Sequence, residues 1–183
     1  MNLAGQILIS LPTMQDERFH ESVIYICAHS PEGAMGIIIN KSLEIDLYPS
    51  LLKKLNIDKS NMNKKIFFHY GGPVETSRGF ILHSDDFVKD ESMLIDKGVV
   101  LSSTADFFTD LAKGIGPKTS IIALGYTGWG PDQLEEEISS NGWITSSVSS
   151  KFIFEENNSK KWNKAYDLLG IDPYSISNNI GTA

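Results

Sequence analysis

The chain has 183 residues, of which 41% are hydrophobic and 21% charged, a composition typical of one soluble globular domain and unlike that of a disordered or fibrous chain. Its 16 basic and 23 acidic residues give a formal net charge of −7, which argues against non-specific binding to nucleic acid or to anionic membranes. The lone cysteine, Cys27, excludes an intrachain disulfide, and the first residues resemble no export signal. We therefore expect a cytoplasmic protein without a membrane span.

Three apolar runs near the N-terminus predict strands. They cover Gln6–Leu11, Val23–Cys27 and Met35–Ile39, and they are rich in β-branched residues. The turn signal at 31–33, which includes Gly33, predicts that the second and third strands pair as a hairpin.

Polar and aromatic residues surround these strands. The loop 13–21 carries Asp16 and Phe19 before the second strand, and Asn40 follows the third strand. Such loop positions are candidates for a functional surface. Gly36 interrupts the third run and predicts a bulge or a close approach of another backbone.

The middle of the chain predicts a short helix at Pro49 and then two strands, Ile66–Tyr70 and Gly79–His83. Gly71, Gly72 and Pro73 separate these two strands and predict a turn that pairs them as a hairpin. Arg78 lies just before the second of them.

Hairpin and helix signals alternate further along. Met93–Ile95 and Val99–Leu101 predict a hairpin, and Ser103 is a candidate N-cap of a helix that buries Phe107 and Phe108. Near the C-terminus we expect two strands, a helix ended by Gly170 and a mobile tail. These elements cover Trp143–Val148, Phe152–Phe154, Lys160–Leu169 and Pro173–Ala183.

The central stretch, Leu124–Ile138, reads LGYTGWGPDQLEEEI. It predicts a strand that ends near Leu124, a loop formed by Gly125, Gly128 and Gly130 that presents Trp129, and a helix with Pro131 as its first residue. Gln133 and Glu137 form a polar stripe on that helix. The glycine spacing is not that of a nucleotide-binding loop, and the carboxylates of the first turn would repel a phosphate.

Seven or eight short strands and about four helices, with more hairpins than βαβ units, predict an α+β fold with a largely antiparallel sheet. We find no internal repeat and no linker, so residues 1–183 are expected to form a single domain.

The sequence predicts no cofactor, and the four histidines do not predict a metal site. Neither HExxH nor paired CxxC motifs occur, and on the predicted hairpin His69 and His83 are too far apart for one zinc ion. His83, which precedes Asp85 and Asp86, is the best acid–base candidate, although a surface histidine near carboxylates is the favoured interpretation.

Three blocks resemble the AlgH/YqgE family. They read LPTMQDERFHESVIYICAHSPEGAMGIIINKSL, GGPVETSRGFILHS and LGYTGWGPDQLEEEISSNGWI. The resemblance implies a bifurcated sheet curled into a pseudo-barrel with about four helices packed on it. The family name records a proposed role in transcriptional regulation of alginate synthesis, and no catalytic residue or cofactor is established for the family. Glycines and prolines within these blocks are interpreted as structural: Gly33, Gly36, Gly71, Gly72, Pro73, Gly125, Gly128, Gly130 and Pro131.

Three functions are compatible with these observations. The leading hypothesis is a non-enzymatic binding or regulatory protein with a protein partner, whose surface gathers Asp16, Phe19, Arg78, Trp129 and Gln133. The alternative is a hydrolase or lyase that uses His83 with Asp85 or Glu137. Direct DNA binding ranks last because of the net charge and the two arginines. The complete set of candidate residues is Asp16, Phe19, Asn40, Arg78, His83, Trp129, Gln133 and Glu137.

Overall fold

A computed structural model describes residues 2–43, 53, 67–140 and 142–178. The helix predicted at Pro49 lies outside these ranges except for Lys53, and Ile66 is the one residue of the strand predicted over Ile66–Tyr70 that lies outside them. The strands are β1 (Gln6–Ser10), β2 (Val23–Ser30), β3 (Gly33–Ile38), β4 (Phe68–Tyr70), β5 (Val74–His83), β6 (Met93–Asp96), β7 (Val99–Ser102), β8 (Ser120–Trp129) and β9 (Trp143–Ser147).

The nine strands form one largely antiparallel sheet in the order β6-β7-β5-β8-β3-β2-β1-β9, with β4 also paired to β8. The predicted hairpins β2–β3 and β6–β7 are both confirmed. A register shift lies between Ile26 and Ala28, opposite Gly36. A Cβ on Gly36 would lie 2.6 Å from the side-chain Cγ2 of Ile24 and 3.1 Å from the backbone oxygen of Tyr25, so both a side chain and the neighbouring backbone lie close to this glycine.

The sheet forks at β3 and β8. These strands pair over Ala34–Gly36 and Thr127–Trp129 and then separate. Strand β4 fills the gap because Tyr70 N donates to Lys41 O on one side, while Phe68 pairs in parallel with Ile122 of β8 on the other. The predicted α+β class and bifurcated sheet are therefore confirmed, with the sheet curled into a half-barrel.

The predicted hairpin between β4 and β5 is wrong. Strand β4 is parallel to β8, whereas β5 is antiparallel to β8, so the intervening glycines carry the chain from one edge of β8 to the other. Gly72 has φ +152°, and a Cβ there would lie 2.2 Å from the carbonyl carbon of Tyr126. Because Gly72 has no side chain, its backbone can lie directly against the backbone of β8, and the chain crosses β8 at this point.

Five helices occur in the described ranges: α1 (Ala105–Ala112), α2 (Gln133–Ser139), α3 (Ser150–Glu155), α4 (Asn158–Leu169) and α5 (Pro173–Asn178). The predicted last helix is confirmed as α4, which ends at Gly170 with φ +67°. The N-cap of α1 is Thr104 instead of Ser103.

The strand predicted over Phe152–Phe154 is wrong. These residues belong to α3, whose N-cap Ser149 accepts a hydrogen bond from Phe152 N. Residues 173–178 of the expected tail form α5. The remaining tail residues lie outside the described part of the chain.

Three apolar clusters hold the layers together. The largest lies between one face of the sheet and helices α3 and α4, and it contains Ile9, Tyr25 and Trp162. On the opposite face, α1 covers one branch of the fork and α2 covers the other. Burial on both faces explains why most strands are continuous apolar runs. It also explains the position of α2, which becomes one wall of the site described below.

Burial of His69 on β4 should make the stability depend on pH. Burial lowers the pKa of His69 to about 4, and Asn158 Nδ2 lies 2.8 Å from its Nε2. Between pH 6.5 and 4 the unfolded chain binds a proton that the folded chain excludes, so stability is lost as the pH falls through this range. We expect a loss of about 2 kcal/mol between pH 7 and pH 5 from this residue.

Guanidinium denaturation at pH 7 and pH 5 measures this loss. His69→Gln has no titrating group in this range and should remove about 2 kcal/mol of the difference. His83, whose pKa is also lowered by burial, should contribute in the same direction. An unchanged pH dependence in His69→Gln would contradict the assignment.

Candidate functional site

A cleft of about 500 Å³ opens where four segments meet: the loop 13–21, the start of β5, the end of β8, and helix α2 with the start of β9. We call it the tryptophan cleft. Its lining residues are Met14, Asp16, Arg18, Phe19, Pro73, Val74, Thr127, Gly128, Trp129, Gln133, Glu137, Ser140, Gly142 and Trp143.

Glu137 connects the walls of the cleft. Its Oε2 accepts hydrogen bonds of 2.9 Å from the indole Nε1 atoms of Trp129 and Trp143, and its Oε1 accepts one of 3.0 Å from Gln133 Nε2. Gln133 and Glu137 are one turn apart on α2 and therefore share a face. Gln133 Oε1 in turn accepts from Gly130 N at 3.0 Å. One carboxylate thus fixes two indoles and the helix that carries it.

Aromatic contacts extend this network to the loop 13–21. The rings of Trp129 and Trp143 meet edge to face with centroids 6.5 Å apart, and Phe19 meets Trp143 in the same way at 5.7 Å. Such T-shaped pairs are favourable because the positive edge of one ring faces the negative face of another. The cleft is therefore walled by three rings whose mutual orientation is fixed.

The rim carries an ion pair. Arg18 Nη2 lies 2.6 Å from Asp16 Oδ2, and Arg18 Nε bonds to the same carboxylate. The hydrogen bond from Arg18 holds the pKa of Asp16 below its usual value. The guanidinium carbon is also 5.5 Å from the centroid of Phe19. These contacts fold the loop onto itself and present both charged groups at the opening.

The structure corrects two features of the central stretch. Trp129 is not on a glycine loop, because β8 continues through Gly125 and Gly128 to Trp129 itself. Its indole is only 8% exposed and packs with Leu134 of α2. Pro131 is not the first helical residue either, since α2 begins at Gln133 behind an N-cap Asp132 with φ +60°.

Five candidate residues therefore line one cleft: Asp16, Phe19, Trp129, Gln133 and Glu137. Two others lie elsewhere. Arg78 forms an ion pair with Glu75 at 3.1 Å and lies 5.0 Å from the ring centroid of Phe80. Asn40 bonds to Val23 N and Glu21 O, each at 2.8 Å, so it anchors the start of β2.

His83 is also outside the cleft, and its interpretation as a surface histidine is wrong. The residue is fully buried. Its Nε2 lies 2.9 Å from Ser102 Oγ, and its Nδ1 lies 2.8 Å from Ser84 O. Its hydrogen-bond partners are thus a hydroxyl and a carbonyl, not the carboxylate at a pocket edge that the enzyme hypothesis requires.

Trp143 and Arg18 also line the cleft but are not among the residues predicted from the sequence. Trp143 follows the turn after α2, and its indole N–H requires an acceptor once the ring is buried. This requirement could have indicated that Trp143 and Glu137 are in contact, because Glu137 is a carboxylate six residues earlier on the adjoining helix and accepts the hydrogen bond. Arg18 is two residues from Asp16, a spacing at which a charged pair can fold a loop.

Within the described ranges, no group of three or more His, Cys, Asp or Glu side chains is arranged to hold a metal ion. Cys27 is buried in the main cluster, and burial raises the pKa of its thiol, which makes it a poor nucleophile. No helix among these residues is both long and apolar enough to cross a membrane.

Comparison with solved structures identifies the fold. The solution structure of the AlgH protein from Pseudomonas aeruginosa superposes with a TM-score of 0.81 at 31% identity, covering 100% of this chain and 97% of that one. A crystal structure from Corynebacterium diphtheriae has a TM-score of 0.70 at 17% identity, covering 91% and 86% of the two chains. The second similarity concerns the fold alone.

Sequence comparison identifies the family. A UPF0301 protein of Cereibacter sphaeroides is 42% identical over 100% of both chains. A UPF0301 protein of Rhodopseudomonas palustris is 47% identical, and the alignment covers 99% of this chain and 89% of that protein. The model of the family described as AlgH-like matches residues 7–174. The chain therefore belongs to the AlgH-like family.

Proposed function

We propose that this chain is a non-enzymatic, cytoplasmic binding protein that exerts a regulatory effect by engaging a protein partner in the tryptophan cleft. The observation that carries the proposal is the engagement of Glu137, whose two oxygens accept three hydrogen bonds from the walls of the cleft and so use three of the roughly four acceptor sites of a carboxylate. A general base needs an accessible lone pair directed at its substrate. A carboxylate that is committed to positioning two indoles instead supports a preformed recognition surface.

The composition of the cleft supports a protein partner. Tryptophan, phenylalanine and arginine are among the side chains enriched where proteins meet. Because their orientations are fixed before binding, little ordering entropy is lost when a partner docks. Phe19 is half-buried and Gln133 is exposed, so both offer contact surface.

Direct nucleic-acid binding has less support. The net charge is −7, and the lining of the cleft includes Asp16 and Glu137 beside Arg18, whose charge is paired with Asp16. A phosphate backbone requires unpaired positive charge. A regulatory effect of this protein on transcription is therefore proposed to act through another protein.

Photo-crosslinking tests the proposal. Arg18 is replaced by p-benzoylphenylalanine in the full-length chain, and the variant is irradiated in its native cells. We expect a discrete cross-linked protein, because Arg18 is exposed at the opening of the cleft. The same probe in place of Leu168, which is 60% exposed on α4, is the matched control.

A second substitution makes the result specific to the cleft. Adding Phe19→Ala to the Arg18 probe should abolish the product, because Phe19 contributes contact surface beside the probe position. Equal products from the Arg18 and Leu168 probes, or a product that survives Phe19→Ala, would contradict the proposal.

A further inference from the structure

The end of β8 has one unpaired edge inside the tryptophan cleft. On one side, Thr127, Gly128 and Trp129 pair with β3. On the other side, β5 pairs no further than Tyr126, which lies opposite Val74. Within the described ranges, no strand continues along this second edge, and Pro73 and Val74 form its boundary in the cleft lining.

The backbone of Gly128 points toward that unpaired edge. A Cβ on Gly33 of β3 would lie 2.1 Å from Trp129 O, so the carbonyl of Trp129 faces β3. Along a strand the amide and carbonyl groups of successive residues alternate between the two edges. The N–H and C=O of Gly128 therefore face the cleft, and Gly128 is exposed.

The face of the sheet is also open at Gly128. A Cβ at this position would point out of the sheet and would have only the Tyr126 ring within 4 Å, at 3.3 and 3.9 Å. An exposed strand edge of this kind is a template for an additional strand. The rings of Phe19, Trp129 and Trp143 lie beside this edge. They can therefore contact a side chain of an additional strand that pairs with Gly128.

We propose that the partner of the tryptophan cleft is an extended peptide segment that adds as a short strand to the edge of β8 at Gly128. This inference rests on the proposed function and specifies the form of its ligand. Main-chain hydrogen bonds to Gly128 hold the peptide, and an apolar or aromatic side chain of the peptide occupies the space beside Phe19, Trp129 and Trp143. A volume of about 500 Å³ lies within the range of small-ligand sites.

The charges select a basic segment. Asp16 and Arg18 form an ion pair that neutralises both groups at the rim, so Glu137 leaves the lining with a net charge of −1. The whole chain carries −7, which steers a positively charged partner toward it. The preferred sequence is therefore an apolar or aromatic residue flanked by lysine or arginine.

The test begins with a displayed library of random nine-residue peptides selected against the full-length protein. Selected peptides are measured by fluorescence anisotropy against the unchanged protein, Phe19→Ala and Leu168→Ala. We expect affinity to fall at least about tenfold with Phe19→Ala, because a central aromatic contact is lost. Leu168→Ala, on the exposed face of α4, should leave it unchanged.

Each amide of the best peptide is then replaced in turn by an ester, which removes one N–H without adding bulk. Strand addition predicts a loss of roughly tenfold at the one peptide amide that donates to Gly128 O. Esters at the residues directly before and after should change affinity by less than about threefold, because those N–H groups point away.

The outcomes separate the two proposals. Cleft-dependent binding with the single sensitive amide supports both. Cleft-dependent binding with a uniform response to every ester overturns strand addition and leaves the proposed function standing. If no selected peptide depends on Phe19, both proposals are contradicted.

Discussion

Gly72→Ala should lower the free energy of unfolding by more than about 4 kcal/mol, the range of exceptional single substitutions. Gly72 has φ +152°, and its added Cβ would lie 2.2 Å from the carbonyl carbon of Tyr126 and 2.6 Å from Thr127 N. Both neighbours are backbone atoms, so relief requires the crossing segment and β8 to move apart. That movement would also disturb the parallel pairing of β4 with β8. Equilibrium denaturation in guanidinium, followed by circular dichroism, measures the loss.

Gly170→Ala is the matched control for this prediction. Gly170 also has a positive φ, +67°, but nothing lies within 4 Å of its added Cβ. Only the conformational cost of about 1–2 kcal/mol should remain. If Gly72→Ala were no more destabilising than Gly170→Ala, the crossing of the two backbones at Gly72 would be incorrect.

Glu137→Ala should cost about 2–6 kcal/mol, because it leaves two indole N–H groups without their acceptor at about 1–3 kcal/mol each. Trp129 and Trp143 are 8% and 4% exposed, so water cannot readily replace the carboxylate for both. Glu137→Gln retains an oxygen that can accept from the indoles, and it should cost less than Glu137→Ala. Guanidinium denaturation followed by tryptophan fluorescence gives the values.

Glu136→Ala, one residue earlier on the exposed side of α2, removes the same chemical group without removing a hydrogen bond to the indoles. It should change stability by less than about 0.5 kcal/mol. Similar losses in Glu136→Ala and Glu137→Ala would contradict the central role of Glu137. A Trp143→Phe background should reduce the effect of Glu137→Ala, because one of the two unsatisfied donors is already absent.

Local sequence patterns predict most of the strands, but they do not predict how β4 and β5 are connected. Continuous β-branched runs predict strands because burial on both faces requires apolar residues throughout, as in β2. Glycines after β4 predict a hairpin turn, but the same residues also permit one backbone to cross another. Only the pairing of β4 with β8 distinguishes these cases, and that contact joins residues more than fifty positions apart.

The remaining errors in secondary structure concern short segments. Phe152–Phe154 is too short for periodicity to distinguish a strand from a helix. The sequence signal for a helix is Ser149, which is the N-cap in the structure. In the central stretch, glycines suggested a loop. There β8 continues because its residues 127–129 pair with β3.

The candidate site was predictable where polar and aromatic residues sit in loops and on the exposed turn of a helix. Asp16, Phe19 and Gln133 are residues of this kind, and all three line one cleft. Burial explains the failures. His83 lies at the end of a strand in the sequence. In the structure it is buried, and its Nε2 forms a hydrogen bond with Ser102 Oγ, nineteen residues away. The role of Glu137 likewise depends on two tryptophans brought together by folding.

The most direct test of the cleft is an NMR titration of the three indole N–H groups with the selected peptide. Trp129 and Trp143 donate to Glu137 in the cleft, whereas Trp162 donates to Ser10 O in the main core and serves as an internal reference. We predict that the Trp129 and Trp143 signals shift while Trp162 does not. Saturable binding that leaves both cleft indoles unchanged would contradict the assignment of the tryptophan cleft as the binding surface.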